Sequence, residues 1–268
     1  MAQKIKYILL LALIISTVFL CCGFDTSEPA TEADFEAYLQ AAEAGDAEAK
    51  RQLADCYYDG EGTEQDYDKA FEWYEKSAEQ GDAAGQFGLG RCYYNGKGTE
   101  QDYDKAFEWY EKSAEQGHAK AQNGLAGCYY NGYGTEQDYG KAFEWYEKSA
   151  EQGHAKAQRN LGYCYANGKG TELNYDKAFE WYQKSAEQGY APGQTSLAVC
   201  YYNGEGTEQD YDKAFEWYEK AAEQGNAKGQ DWLGYLYYNG EGTEQDYGKA
   251  FEWFQKPPSK ILIILSTF

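Results

Sequence analysis

The stretch CYYNGKGTEQDYDKAFEWYEKSAEQG, Cys92–Gly117, decides the fold, because it returns almost unchanged 36 residues up and down the chain. Trp73, Trp109, Trp145, Trp181, Trp217 and Trp253 keep that spacing without an error. A period of this size marks a stacked supersecondary unit. Copies fall at 46–81, 82–117, 118–153, 154–189 and 190–225, with a shortened one at 226–256. Before them, FEAYLQAAEAGD from Phe35 aligns with FEWYEKSAEQGD from Phe71, so 35–45 reads as a half-repeat that caps the stack.

Each copy holds two helical patterns. In 82–117, Gln86, Leu89, Gly90 and Tyr93 recur at i, i+3, i+4 and i+7, which predicts a helix from Ala83 to about Asn95. Gly96 stops it as a left-handed cap, and KGTEQDY is the turn. A second helix is predicted from near Asp104, with Ala106, Trp109, Tyr110, Ser113 and Ala114 on one face and Gly117 as its stop. Glu108 and Lys112 are spaced for an i, i+4 ion pair on the wet side. One such hairpin cannot bury its own apolar stripe, so neighbours must stack. The fold class is therefore all-α, a solenoid of antiparallel helix pairs.

The 268 residues carry 28 Tyr, 12 Phe and 7 Trp, rings large enough to hold small units together. The net charge of −21 argues against nucleic acid, whose phosphates need Lys and Arg, and against an anionic membrane surface. It predicts solubility or a basic partner.

Residues 1–24 differ in kind. Lys4 and Lys6 precede an apolar run from Tyr7 to Leu20, and Cys21, Cys22 and Gly23 follow. That is the order of an export signal, and the run is short of the roughly 20 residues of a membrane span. It also resembles a bacterial lipoprotein signal with Cys21 or Cys22 as the lipid-bearing residue, although Leu20 departs from the small residue expected before that cysteine. A lipoprotein, a freely secreted protein and an uncleaved anchor remain open readings. Each places the chain in the cell envelope or outside the cell, with the membrane reached only through the anchor or the lipid. Residues 25–34 read as a polar linker. In 257–268, Pro257 and Pro258 end the last helix early and Ile261–Leu265 form a short apolar tail.

The segment AKAQNGLAGCYYNGYGTEQDYGKAFEWYEKSAEQG, Ala119–Gly153, resembles the Sel-one-like repeat (SLR), a branch of the tetratricopeptide superfamily. The matching elements are the A-x-A-Q-x-x-L-G/A-x-x-Y start, the Y-x-x-G-x-G-T turn and the KA-x-x-WY-x-K-A/S-AEQG end, and they cover 35–256. The resemblance implies a right-handed superhelix that acts as an adaptor or scaffold. Exported bacterial members are linked to host interaction or signalling. A cysteine-rich branch, with members regarded as penicillin-binding or β-lactamase-like, gives the alternative of an envelope hydrolase, but this chain has no S-x-x-K and no K-T-G.

No catalytic, cofactor or metal site is predicted. Cys56, Cys92, Cys128, Cys164 and Cys200 share one repeat position, which Leu236 fills in the sixth copy. One cysteine per unit on helices about 8–10 Å apart is too distant for a disulfide, so buried reduced thiols are expected. His118 and His154 read as surface residues at helix starts, and two histidines alone do not complete a metal site. NGKGTE at Asn95 lacks the phosphate-loop pattern, because Glu61, Tyr133, Glu205 and Glu241 stand where Lys97 stands. The acidic turns lack calcium-loop spacing.

Among the copies, change concentrates on the first helix, at the positions of Ala84, Phe87, Gly88 and Arg91. These form a stripe opposite Gln86, Leu89 and Tyr93. It carries Arg51 and Asp55, then Phe87 and Arg91, then Asn123. Arg159 and Tyr163, then Val199, then Trp232 and Tyr235 complete it. In solenoids of the resembled family the first helices line the concave face. That makes these ten residues a predicted groove for a protein or peptide segment, rich in the residue types of binding hot spots. Neutral drift on an exposed face after duplication is the competing reading.

Overall fold

The computed structural model describes residues 29–256. The predicted export signal, the lipidation candidates Cys21 and Cys22, and the tail 257–268 lie outside the described residues. Helix α1 spans Glu32–Glu43. The pairs that follow are α2 Ala47–Asp59 with α3 Tyr67–Glu79, α4 Ala83–Asn95 with α5 Tyr103–Glu115, and α6 Ala119–Asn131 with α7 Tyr139–Glu151. Then come α8 Ala155–Asn167 with α9 Tyr175–Glu187, α10 Ala191–Asn203 with α11 Tyr211–Glu223, and α12 Ala227–Asn239 with a short α13 Tyr247–Phe254. The described residues form thirteen helices and no strand, an all-α solenoid. None of these helices is long and apolar enough to cross a membrane. Helix α1 begins inside the stretch read as linker, because the Thr31 and Asp34 side chains form a reciprocal capping box.

Local chemistry sets the helix ends. Asp102 caps α5 by accepting the Lys105 N–H at 3.0 Å, one residue earlier than the pattern suggests. Gly96 closes α4 at φ +65°. Two residues on from each such cap, a second glycine lets units touch. At Gly134 (φ +68°) an added Cβ would fall on the Tyr103 carbonyl oxygen of the preceding unit and 2.8 Å from Phe107 Cβ.

The core is a spine of tyrosines held between small residues. Tyr110 is buried, with Gly90 of its own unit against one side and Gly124 of the next unit against the other. A Cβ on Gly90 would lie 2.7 Å from Tyr110 Cδ1, and Ala54, Ala126 and Ala198 hold the equivalent place in other copies. Leu53, Leu89, Leu125, Leu161, Leu197 and Leu233 lie beside this spine, each almost wholly buried. Units join by repeated contacts. Phe107 meets Tyr129 of the next unit edge-on at 5.3 Å, and in the cap Phe35 meets Tyr57 in the same way at 5.4 Å. Buried Gln122 donates to the Ala114 carbonyl at 3.3 Å and accepts from Gln152 Nε2 at 2.6 Å, which stitches consecutive second helices.

The five repeat cysteines are buried and free, and burial pushes the Cys128 thiol up to about 12. Lys112, expected to pair with Glu108, places its Nζ 3.9 Å from the Trp109 ring centroid, and the same stacking recurs at Lys148 over Trp145 at 4.0 Å. The first helices of adjacent units also touch directly, as α2 does α4 and α10 does α12, which places them on the inner side of the stack.

Candidate binding groove

Three cavities on the first helices share walls. The largest, about 830 Å³, lies between α8, α10 and α12, with Arg159, Tyr163, Val199 and Trp232 among its lining. A second, about 450 Å³, is walled by Phe87, Arg91, Asn123, Lys120 and Lys156, with the Tyr110 and Tyr146 rings also lining it. A third, about 370 Å³, joins them through Asn131, Tyr146, Asn160, Arg159 and Tyr163. Together they make one groove along the inner helices.

Of the ten residues marked by the sequence, seven line this groove: Phe87, Arg91, Asn123, Arg159, Tyr163, Val199 and Trp232. Arg51 and Asp55 instead pair with each other at 2.7 Å beyond one end. The Tyr74 hydroxyl donates to Asp55 and accepts from Arg91 Nη2 at 3.2 Å, so this pair reaches the groove through the spine. Tyr235 stands past the other end, edge-on to Trp232 at 5.5 Å.

The stripe is less free than its variability suggests. Arg91 lies over the Tyr58 ring at 3.7 Å, and Phe87 stacks on Tyr110 at 5.8 Å. Gly88 is buried, and a Cβ there would enter the Tyr74 ring. Asn123 is buried and accepts from Asn160 Nδ2 at 3.0 Å, while Arg159 Nη1 donates to Asn160 Oδ1 at 3.4 Å. Internal comparison missed Tyr110, Tyr146 and Asn131, because these letters recur in most copies. It passed over Lys156 and Asn160 although both belong to the varying stripe.

The groove's charge also departs from expectation. Helices α4, α6 and α8 carry Arg91, Lys120, Lys156 and Arg159 and no Asp or Glu. The second helix α5 alone carries Asp104, Glu108, Glu111 and Glu115. The net charge of −21 predicts a basic partner, but the middle of the inner face is basic. Acids appear toward its ends, Asp55 and Asp59 on one side and Glu205 and Asp231 on the other.

The Sel1 repeat family matches residues 47–82, 83–118, 119–154, 155–190, 191–226 and 227–256, one residue later in frame than the copies drawn above. The chain belongs to the Sel1-repeat family. A solved Sel1 repeat protein from Oxalobacter formigenes is 34% identical, with a TM-score of 0.73 over 79% of this chain and 85% of its own. A protective antigen of uropathogenic Escherichia coli strains, described as displaying an SLR fold, is 36% identical with a TM-score of 0.71. That match covers 83% of this chain and 48% of the antigen, so the chain spans about half the antigen's length. No curated protein sequence matches it.

Within this Sel1-repeat chain the two histidines are half-buried at the starts of α6 and α8, where surface positions were expected, and His154 lines the 450 Å³ cavity. His118 Nδ1 accepts the Ala121 N–H at 3.3 Å, and His154 Nδ1 lies 3.3 Å from Ser149 Oγ. Burial, then Lys120, Lys156 and His118, lower His154 to about 4. Because the folded value lies below the usual 6.5, the unfolded chain binds the proton first as pH falls. Stability should therefore decline between about pH 6.5 and pH 4 and level off below. In urea melts, His154→Asn, which removes the titrating ring, should lose less stability than the native chain between those limits. Among the described residues, no group of three or more His, Cys, Asp or Glu side chains converges as for a metal ion.

Proposed function

We propose that the protein is an exported, non-enzymatic scaffold that holds a peptide or protein segment along the groove of its first helices. Sel1-repeat proteins act generally as protein-interaction scaffolds. The observation that carries the reading is the division of labour between copies. Side chains shared by every unit, such as the leucines and the phenylalanines that meet the next unit, are taken up by stacking. Side chains that differ between units, among them Arg91, Tyr163 and Trp232, line one continuous groove. The export reading rests on the order of residues in 1–24.

A suitable test fills the groove without touching the spine. Truncating Phe87 and Arg91 would remove ring and hydroxyl contacts of the core, so loss of binding there would be ambiguous. Gly127 is helical, lines the 450 Å³ cavity, and an added Cβ meets only Tyr146 Oη at 3.8 Å. Gly127→Trp should raise helix propensity by a few tenths of a kcal/mol and leave the circular dichroism unchanged. Proteins captured from envelope extracts by the native chain should be lost with this variant. Equal capture by both would remove the groove from recognition.

A further inference from the structure

The groove is polarised in a way that specifies its occupant. The basic stretch is confined to α4, α6 and α8, where Arg91, Lys120, Lys156 and Arg159 stand with no acidic residue on those helices. Beneath the charges lie the rings of Tyr110 and Tyr146. Alongside runs an amide chain in which Arg159 donates to Asn160 and Asn160 to Asn123. Charged ends on an apolar floor with side-chain amides nearby suit an extended segment whose carboxylates meet the cations and whose main chain meets the amides.

Resting on the groove reading above, we infer that the central groove selects an acidic, carboxylate-rich peptide segment of about six residues. The length follows from the geometry. Three adjacent inner helices at about 8–10 Å spacing span roughly 20 Å. An extended chain covers that in about six residues at ~3.4 Å each. Asp55 and Asp59 at the α4 end, where Asp59 lies near Arg91 and Lys120, and Glu205 beyond α8, repel an acidic segment that overruns the window and so set its register. The acidic outer helices, such as α5, lower the on-rate for such a ligand but do not face the bound segment.

The test uses three fluorescent hexapeptides on one backbone, alternating Phe and Ala with Glu, Gln or Lys, and reads anisotropy against the whole chain at low and high salt. The Glu peptide should bind at least about tenfold tighter than the other two at low salt, and the margin should shrink as salt screens it. Lys156 is exposed, so Lys156→Glu should fold normally and weaken the Glu peptide by about tenfold. Lys148→Glu, over Trp145 on a second helix, should leave it unchanged. Tighter binding of the Lys peptide, or indifference to Lys156→Glu, overturns the inference. If Gln and Glu peptides bind equally and Gly127→Trp abolishes both, the groove stands and its acidic selectivity falls. If the Glu peptide binds and Gly127→Trp leaves it unmoved, the groove reading itself falls.

Discussion

Gly134→Ala should destabilise the protein by about 3–4 kcal/mol, well beyond the roughly 1–2 kcal/mol that a left-handed alanine costs alone. The excess comes from contact between units. The new Cβ would land on the Tyr103 carbonyl at the first turn of α5 and crowd Phe107, so the third unit must move away from the second. Gly153 provides the control, with φ +89° and nothing within 4 Å of an added Cβ. Gly153→Ala should show only the backbone cost. In a linear stack an interface loss divides cooperativity, so the urea transition of Gly134→Ala should also broaden or split. Equal losses for the two variants would mean that the turn glycines serve conformation alone and do not couple the units.

The second large effect is expected at Leu125, which is fully buried in the middle of the array. Leu125→Ala removes the filler beside the tyrosine spine and should cost about 3 kcal/mol through lost transfer energy and the cavity left behind. Leu53 is just as buried but lies in the first full unit. The same truncation there should let the end fray, giving a smaller midpoint shift and a sloping native baseline. Hydrogen exchange resolved by peptide would read the difference, with Leu125→Ala lowering protection on both sides of α6 and Leu53→Ala lowering it around α2 and α1. Identical patterns would contradict stabilisation by nearest-neighbour stacking.

The fold was legible because the spine is written six times. Leu89, Tyr93 and Gly96 each announce a helix face or a helix end, and the period forces the stack. Boundaries came out within a residue or two, since Asp102 caps by a side chain that helical periodicity does not show. The start of α1 was misread as linker because Thr31 and Asp34 act as a reciprocal pair, which composition alone hides.

The groove was only partly legible. Variation among copies found Arg91, Arg159, Tyr163 and Trp232, but Tyr110 and Tyr146 line the same space and are repeated in nearly every unit. Variation also overstated freedom at Phe87 and Gly88, which vary yet pack against neighbouring rings. The charge of the groove was less legible still. A sum of −21 averages acidic second helices such as α5 with the three basic inner helices α4, α6 and α8, and only their placement on opposite sides of the stack separates the two. The separate sums of α4, α6 and α8 carry the signal that the whole-chain sum erased.

The central claim, that stacking uses the shared side chains and leaves the inner groove for recognition, is tested most directly by placing a photo-crosslinking residue at Asn131 and, separately, at Lys148. Asn131 lines the groove and Lys148 lies over Trp145 on a second helix. With the Glu hexapeptide as probe, crosslinking should be efficient from 131, absent from 148, and suppressed at 131 by Lys156→Glu. Crosslinking from 148 with none from 131 would contradict the account.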